Sequence, residues 1–405
     1  MTPLARHSLV VQAAAALLCT CEPSWYAAGT SAGAPEEDAC DCDPALACVA
    51  DDCVPLAQHP RLSAGLGAAY LVRDDGSLWS WGRNEVGELG QGDTVERLLP
   101  SPIAGSSWAA VSTAAGPSVC ALDTGAKLFC WGGNASGALG LGDLDGRPAP
   151  AARDGAWRAV AMDSEHACAI AEDGGLWCWG RNIDGELGTG DTTLRTSPTA
   201  VALPEGQSTA VVATGWGHTC AITRQGELHC WGRNVEGQLG LGDRSTRKSP
   251  ARIGADRGWR ALSLAGQRSC AQRADGSLWC WGRNGTGQLG VGDFVDHDRP
   301  TRVDISGRVT QFSAGVYRTC AIVEGGALLC WGDSGVGDPE GADAEDHEVP
   351  SPLGAPDGWE QVACGFRSCC GTRAGGALLC WGDNSFGQLG TGDTEMRADP
   401  QEVTF

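Results

Sequence analysis

Apolar positions in this chain come in short bursts separated by glycine, asparagine and charged residues. Residues 213–231, ATGWGHTCAITRQGELHCW, show the pattern. Cys220, Ala221 and Ile222 on one side and Leu228, His229 and Cys230 on the other flank Arg-Gln-Gly, which reads as a β-hairpin with Gly226 in its turn. Past Pro250, Ala251-Arg252-Ile253 and then Trp259-Arg260-Ala261-Leu262 read as further short strands. About four strands therefore fill one unit, the content of a propeller blade. A helical solenoid would need amphipathic runs of about ten residues or more, and the chain has none.

The unit repeats. Trp-Gly recurs at Trp81, Trp131, Trp179, Trp231, Trp281, Trp331 and Trp381, with spacings of 50, 48, 52, 50, 50 and 50 residues. Behind it runs Trp-Gly-x-Asn-x-x-Gly-x-Leu-Gly-x-Gly-Asp, complete in residues 231–243 and 281–293. The sixth copy has decayed: Ser334 replaces the asparagine, and Asp338-Pro339 breaks the Leu-Gly run. Such a period signals a solenoid, propeller or array, and the strand content selects the propeller. The fold expected is all-β, a seven-bladed β-propeller of four-stranded antiparallel blades, closed into a circle. Residues 401–405 are expected to complete a blade shared with residues 61–65, which would remove exposed sheet edges.

Gly215-Trp216-Gly217-His218-Thr219-Cys220-Ala221-Ile222, followed by Trp231-Gly232-Arg233-Asn234 and Gly237-Gln238-Leu239-Gly240, resembles the repeat of the regulator-of-chromosome-condensation family. The resemblance spans roughly residues 60–405 and implies a seven-bladed propeller. The family's founding activity is guanine-nucleotide exchange on a small GTPase. It also takes in a secreted bacterial inhibitor of β-lactamases, which binds without catalysis. Trp216 stands in a motif similar to that of the family's plant ultraviolet photoreceptor. The matching positions in later blades carry Val316 and Phe366, which speaks against photoreception.

Composition narrows the function classes. The 60 glycines suit many tight turns, and a net charge of −21 speaks against nucleic acid or an anionic membrane surface as partner. Lys127 and Lys248 are the only lysines among 29 basic residues, which points to a GC-rich, bacterial genome. Arg6 and His7 precede an apolar run at residues 9–18, too short to span a bilayer, so residues 1–21 read as an export signal. Leu18-Cys19-Thr20-Cys21 resembles a lipoprotein box with Cys21 as the lipid-bearing residue. Residues 22–57 read as a linker with a cysteine-rich knot, and residues 58–405 as the propeller. The destination expected is outside the cell or in the cell envelope, with contact to the outer membrane surface only through such a lipid.

Twelve of the 20 cysteines pair at ten-residue spacing: Cys120 with Cys130, Cys168 with Cys178, Cys220 with Cys230, Cys270 with Cys280, Cys320 with Cys330, and Cys370 with Cys380. A hairpin centred on the intervening glycine sets the two members opposite each other, as it sets Leu122 opposite Leu128. The first repeat carries Tyr70 and Ser80 at these positions, so both cysteines are missing together. Six disulfides within blades are therefore expected, in an oxidising compartment. Cys40, Cys42, Cys48 and Cys53 are expected to form two more bridges, with three pairings open, and Cys364 and Cys369 to bond each other. Two sulfurs per blade do not complete a tetrahedral metal site, so no metal is expected.

Other strings carry weaker chemistry. Gly332-Asp333-Ser334-Gly335 imitates a serine-protease segment but fills the repeat's loop slot. Asn84, Asn134, Asn182, Asn234, Asn284 and Asn384 are expected to hydrogen-bond the turn that follows each, and Asn134 and Asn284 match glycosylation acceptors by the accident of that slot. His166 and His218 share a repeat position, with Arg268 and Arg318 at or near it. These four either ring one end of the central channel and hold an anion or carboxylate, or bond neighbouring blades together. The acidic stretch from Asp338 to Glu348 is a solvated loop or a calcium site.

With no catalytic constellation and no cofactor motif, the leading expectation is an exported or cell-surface scaffold that binds a protein partner, as a monomer. Nucleotide exchange is the first alternative, with none of the exchange residues carried over onto this chain. A polysaccharide-active hydrolase or lyase is the second.

Overall fold

The computed structural model describes residues 46–49, 52–55, 61–113, 116–163, 165–333, 347–354 and 358–405. The export signal with Cys21, the knot residues Cys40 and Cys42, and most of the acidic stretch lie outside them. Leu46–Val49 and Asp52–Pro55 form a separate hairpin whose register sets Cys48 opposite Cys53.

Seven four-stranded antiparallel sheets follow, each built from consecutive strands. In the fourth they are Thr209–Gly215, His218–Thr223, Leu228–Gly232 and Arg247–Arg252, running from the axis outward. The hairpin read at Gly226 is present, with that residue at φ 77°. The innermost strands, among them Trp259–Ala265 and Trp359–Cys364, wall a central channel.

The core lies between blades. The repeat tryptophans are at most 1% exposed, and Trp81, Trp131, Trp179, Trp231, Trp281 and Trp331 each pack in a seam with the leucine of the preceding blade's loop. That loop turns on a glycine at positive φ: Gly240 is at +69°, and a Cβ there would stand 2.7 Å from Trp281 Nε1. Only glycine fits beneath the indole.

Ring closure departs from the expected shared blade. The last blade ends in its own outer strand, Arg397–Glu402, and the first begins with its own inner strand, Leu62–Ala64. The ring closes by side-chain packing instead. Trp81 Nε1 donates to the Gln388 carbonyl at 2.9 Å, and Phe405 meets Trp79 edge-on at 5.4 Å. The tryptophan-to-carbonyl bond found in five other seams also joins the last blade to the first, so no strand exchange is required.

Candidate functional site

The channel encloses a volume of about 180 Å³, and its polar groups are spent on its own wall. Ser112, Ser263 and Ser313 each accept the backbone N–H of the next blade, from Met162, Ala314 and Cys364, at 2.9–3.0 Å. Gln311 does the same with both ends of its amide, bonding the N–H and C=O of Val362.

His166, His218, Arg268 and Arg318 do not line this channel. They begin the second strand of their blades, one layer out, and His166, His218 and Arg268 reach sideways to the next blade, whereas Arg318 bonds within its own. His166 Nε2 meets Thr219 Oγ1 at 2.9 Å, and His218 Nε2 meets Ser269 Oγ at 2.9 Å. Each hydroxyl gives its single proton to a loop carbonyl, Thr219 to Glu186 and Ser269 to Gln238. The imidazoles therefore donate from Nε2. Burial pushes both pKa values down to about 3, so both rings are neutral. Arg268 repeats the arrangement on Thr319 and also donates to the carbonyls of Val316, Gly315 and Arg318. Burial lowers its pKa to about 9, which leaves it charged at neutral pH. In the next blade Cys369 occupies the strand position that carries Thr219, Ser269 and Thr319 elsewhere, and Arg318 Nε donates to the Asp333 carbonyl of its own blade. Burial lowers its pKa to about 10.

The same carbonyls take a second donor. Glu186, Gln238 and Gln288 accept from Trp231, Trp281 and Trp331 at 2.8–3.1 Å, and Glu88 and Ala138 from Trp131 and Trp179. Six of the loops are held in shape by their asparagine: in the fourth blade, Asn234 Oδ1 accepts the Leu239 N–H while Nδ2 donates to the Asp243 carbonyl. Asn134 and Asn284 are buried in this role, which removes them as glycosylation acceptors. An Asp–Arg pair closes the loop, as in Asp243–Arg247 at 2.7 Å. Sequence reading passed over that arginine, although it recurs four residues after the motif's aspartate at Arg97, Arg147, Arg195, Arg247 and Arg397.

The ten-residue cysteine pairs stand opposite one another in register, with Cα atoms 4.0–4.1 Å apart and sulfurs at bonding distance. Cys120 is joined to Cys130, Cys168 to Cys178 and Cys220 to Cys230 in the second, third and fourth blades. Cys270 is joined to Cys280, Cys320 to Cys330 and Cys370 to Cys380 in the fifth, sixth and seventh. None of the twelve faces the channel, and all are buried between the second and third strands of their blades. Cys364 and Cys369 are joined likewise. Where the first blade lacks cysteines, Tyr70 and Ser80 oppose each other and donate to the carbonyls of Glu88 and Leu89, both at 2.8 Å.

One face of the disc carries side chains that these contacts leave over. It is built from the turns between first and second strands, together with the loops after the third, which are tied by bonds such as Arg233 N–H to the Gly217 carbonyl at 2.7 Å. Trp216 of the fourth blade stacks on Phe366 of the seventh, centroids 6.4 Å apart, so the pair crosses the channel mouth. Tyr317 packs edge-on against Phe366 at 5.2 Å, with the exposed Arg367 over the tyrosine ring. Beside them, Glu165, Arg181, Asp184, Trp216, Arg233 and Gln267 line a groove of about 450 Å³. Arg181 lies between Glu165 at 3.2 Å and Asp184 at 3.3 Å, and Arg233 pairs with Glu236. Ile183 and Val235, next in chain to these groups, are 65% and 52% exposed. Trp216 Nε1 has no hydrogen-bond partner among the described residues. The sequence set Trp216 and Phe366 at matching repeat positions but did not show that they stack, because the fourth and seventh blades meet only across the channel mouth.

Models of the regulator of chromosome condensation (RCC1) repeat match residues 75–122, 173–222, 225–271, 275–322 and 375–405, and a second form of the same repeat matches residues 157–186, 210–238, 309–338 and 359–388. The chain belongs to the RCC1 repeat family. The ultraviolet-B receptor UVR8 of Arabidopsis thaliana is 31% identical over 201 residues, 48% of this chain and 46% of that protein. Human protein RCC2 is 47% identical over 47 residues, 12% of this chain and 9% of that one. The chain thus spans less than half the length of these curated relatives. Among solved structures, human WBSCR16 superposes with a TM-score of 0.70 at 21% identity, covering 81% of this chain and 94% of that one. Prp20p of Saccharomyces cerevisiae, described with its binding to Gsp1p and histones, gives 0.72 at 20% identity, covering 86% and 88%. At such identities these two establish the RCC1 fold alone.

Proposed function

We propose that this RCC1-repeat propeller is an exported scaffold that binds a protein partner, without catalysis, through the face that carries the channel mouth. The Trp216–Phe366–Tyr317 cluster carries the reading. Aromatic and arginine side chains dominate binding hot spots, and here Arg181 and Arg233 share a groove with Trp216 while Arg367 stands over Tyr317. The latches and channel bonds hold this face rigid, which keeps the ordering cost of docking low. Disulfides in six of the seven blades support an oxidising destination. Prp20p, which shares the fold, binds protein partners, and binding of that kind is what we propose here.

The full chain, immobilised and exposed to extracellular and envelope extract of its native host, is expected to retain a saturable protein partner. A variant combining Trp216→Ala and Phe366→Ala should lose it, while Lys127→Ala, in an exposed turn on the opposite face, should keep it. Equal retention by both variants removes this face from the account. Accelerated release of labelled nucleotide from a small GTPase would replace the scaffold reading with exchange activity.

A further inference from the structure

The seam between the sixth and seventh blades is built differently from the others. In three seams a hydroxyl at the second position of the second strand, Thr219, Ser269 or Thr319, reaches across to the preceding blade's loop carbonyl. In the seventh blade that position is Cys369. Counting from Trp331, Pro339 and Glu340 take the places of Leu289 and Gly290, and a Cβ at Gly290 would stand 2.5 Å from Trp331 Nε1. Trp381 Nε1 has no acceptor among the described residues.

The substituted position brings sulfur against sulfur. In the seam between the fourth and fifth blades Ser269 Oγ lies 3.9 Å from Cys220 Sγ, so a cysteine at the equivalent place faces the first cysteine of the blade before it. Cys320, Cys364 and Cys369 accordingly gather with their sulfurs within 4.8 Å of one another, although they belong to two disulfides in two blades. Cys369 is 2% exposed, whereas Cys364 belongs to the channel wall. We infer that this cluster is a thiol–disulfide exchange site at which Cys369 changes partner, from Cys364 within its blade to Cys320 across the seam.

An external dithiol supplies the electrons. Its thiolate attacks Cys364 Sγ from the channel, the Cys364–Cys369 bond breaks, and Cys369 leaves as a thiolate. That thiolate attacks Cys320 Sγ, the Cys320–Cys369 bond forms, and Cys330 leaves as a thiolate and takes up a proton. The second thiol of the dithiol then displaces Cys364, which leaves as a thiol, and the dithiol departs oxidised. One dithiol is oxidised, two protein disulfides become one, and the surviving bond ties the sixth blade to the seventh. The apolar surroundings disfavour a buried thiolate, so the reaction starts at the channel-wall sulfur.

The test maps linked peptides in the full chain after alkylation and acid quench. A Cys364→Ser variant leaves Cys369 free from the start and is expected to show Cys320 joined to Cys369, with Cys330 alkylated. Recovery of Cys320–Cys330 intact with Cys369 alkylated would overturn the assignment. A short pulse of dithiol on the unaltered protein gives the same reading should that variant fail to fold. Cys369→Ser, which installs the hydroxyl found at Ser269, is expected to keep Cys320–Cys330 and expose Cys364. A Cys320–Cys364 link there would show that Cys369 is not the sulfur that switches.

Discussion

At the scale of single residues, one loop carbonyl in each intact seam carries the contact between blades. Gln238 accepts from Trp281 Nε1 and Ser269 Oγ together, and His218 is bound to that same hydroxyl. Trp281→Phe keeps most of the ring and removes the donor, at a cost of about 1 kcal/mol beyond the loss of packing. Trp381→Phe removes the same atoms where no acceptor stands among the described residues, so urea titration should find it milder by about that amount. Ser269→Ala leaves the His218 N–H without its acceptor and should cost about 1–3 kcal/mol. The histidines also set a pH response. Burial holds both near a pKa of about 3, below the ordinary 6.5, so between those values the unfolded chain binds more protons than the folded one. Stability contributed by the two rings is complete above pH 6.5 and falls as the pH drops toward 3. A variant combining His166→Gln and His218→Gln should therefore differ less from the unaltered protein at pH 4 than at pH 7, and parallel curves would contradict this origin. Sequence alone placed His166 and His218 at one repeat position but gave no sideways direction. Whether they faced the channel or a neighbour depended on the strand's distance from the axis.

At the scale of elements, the blade hairpin was the most legible feature, because turn position and opposed residues follow from the strand period of two. Leu122 opposite Leu128 and Cys120 opposite Cys130 needed only the glycine between them. The exception at Tyr70 and Ser80 shows what the disulfide replaces: two hydrogen bonds from the same pair of positions to the following loop. Removing both cysteines of one blade, as in Cys270→Ala combined with Cys280→Ala, should lower stability by about 2 kcal/mol, since each bridge closes a short loop. Tyr70→Phe should cost about 1 kcal/mol by removing the second donor to the Glu88 carbonyl. Thermal unfolding of the two variants side by side compares the covalent with the polar solution at one place in the blade. The loop's closing ion pair escaped sequence reading because the motif ended at its aspartate, one turn short of the arginine that answers it.

At the scale of the whole molecule, seven equal units fix the ring, and the fold followed from their count. Closure did not. A shared blade was the expectation from the chain's two ends, whereas Trp81 on Gln388 and Phe405 on Trp79 show that blade-to-blade contacts suffice. The proposed docking face was the least legible part, since Trp216 comes from the fourth blade and meets Phe366 of the seventh only once the circle is formed. The proposed scaffold rests on the bridges, which fasten the second strand to the third in six blades and support the proposed oxidising destination. The direct test is mass spectrometry of the full chain from its native host, alkylated with and without prior reduction. Seven bridges among the described cysteines, six of them ten residues apart, is the result expected. Free thiols at those positions would contradict it and return the protein to a reducing compartment.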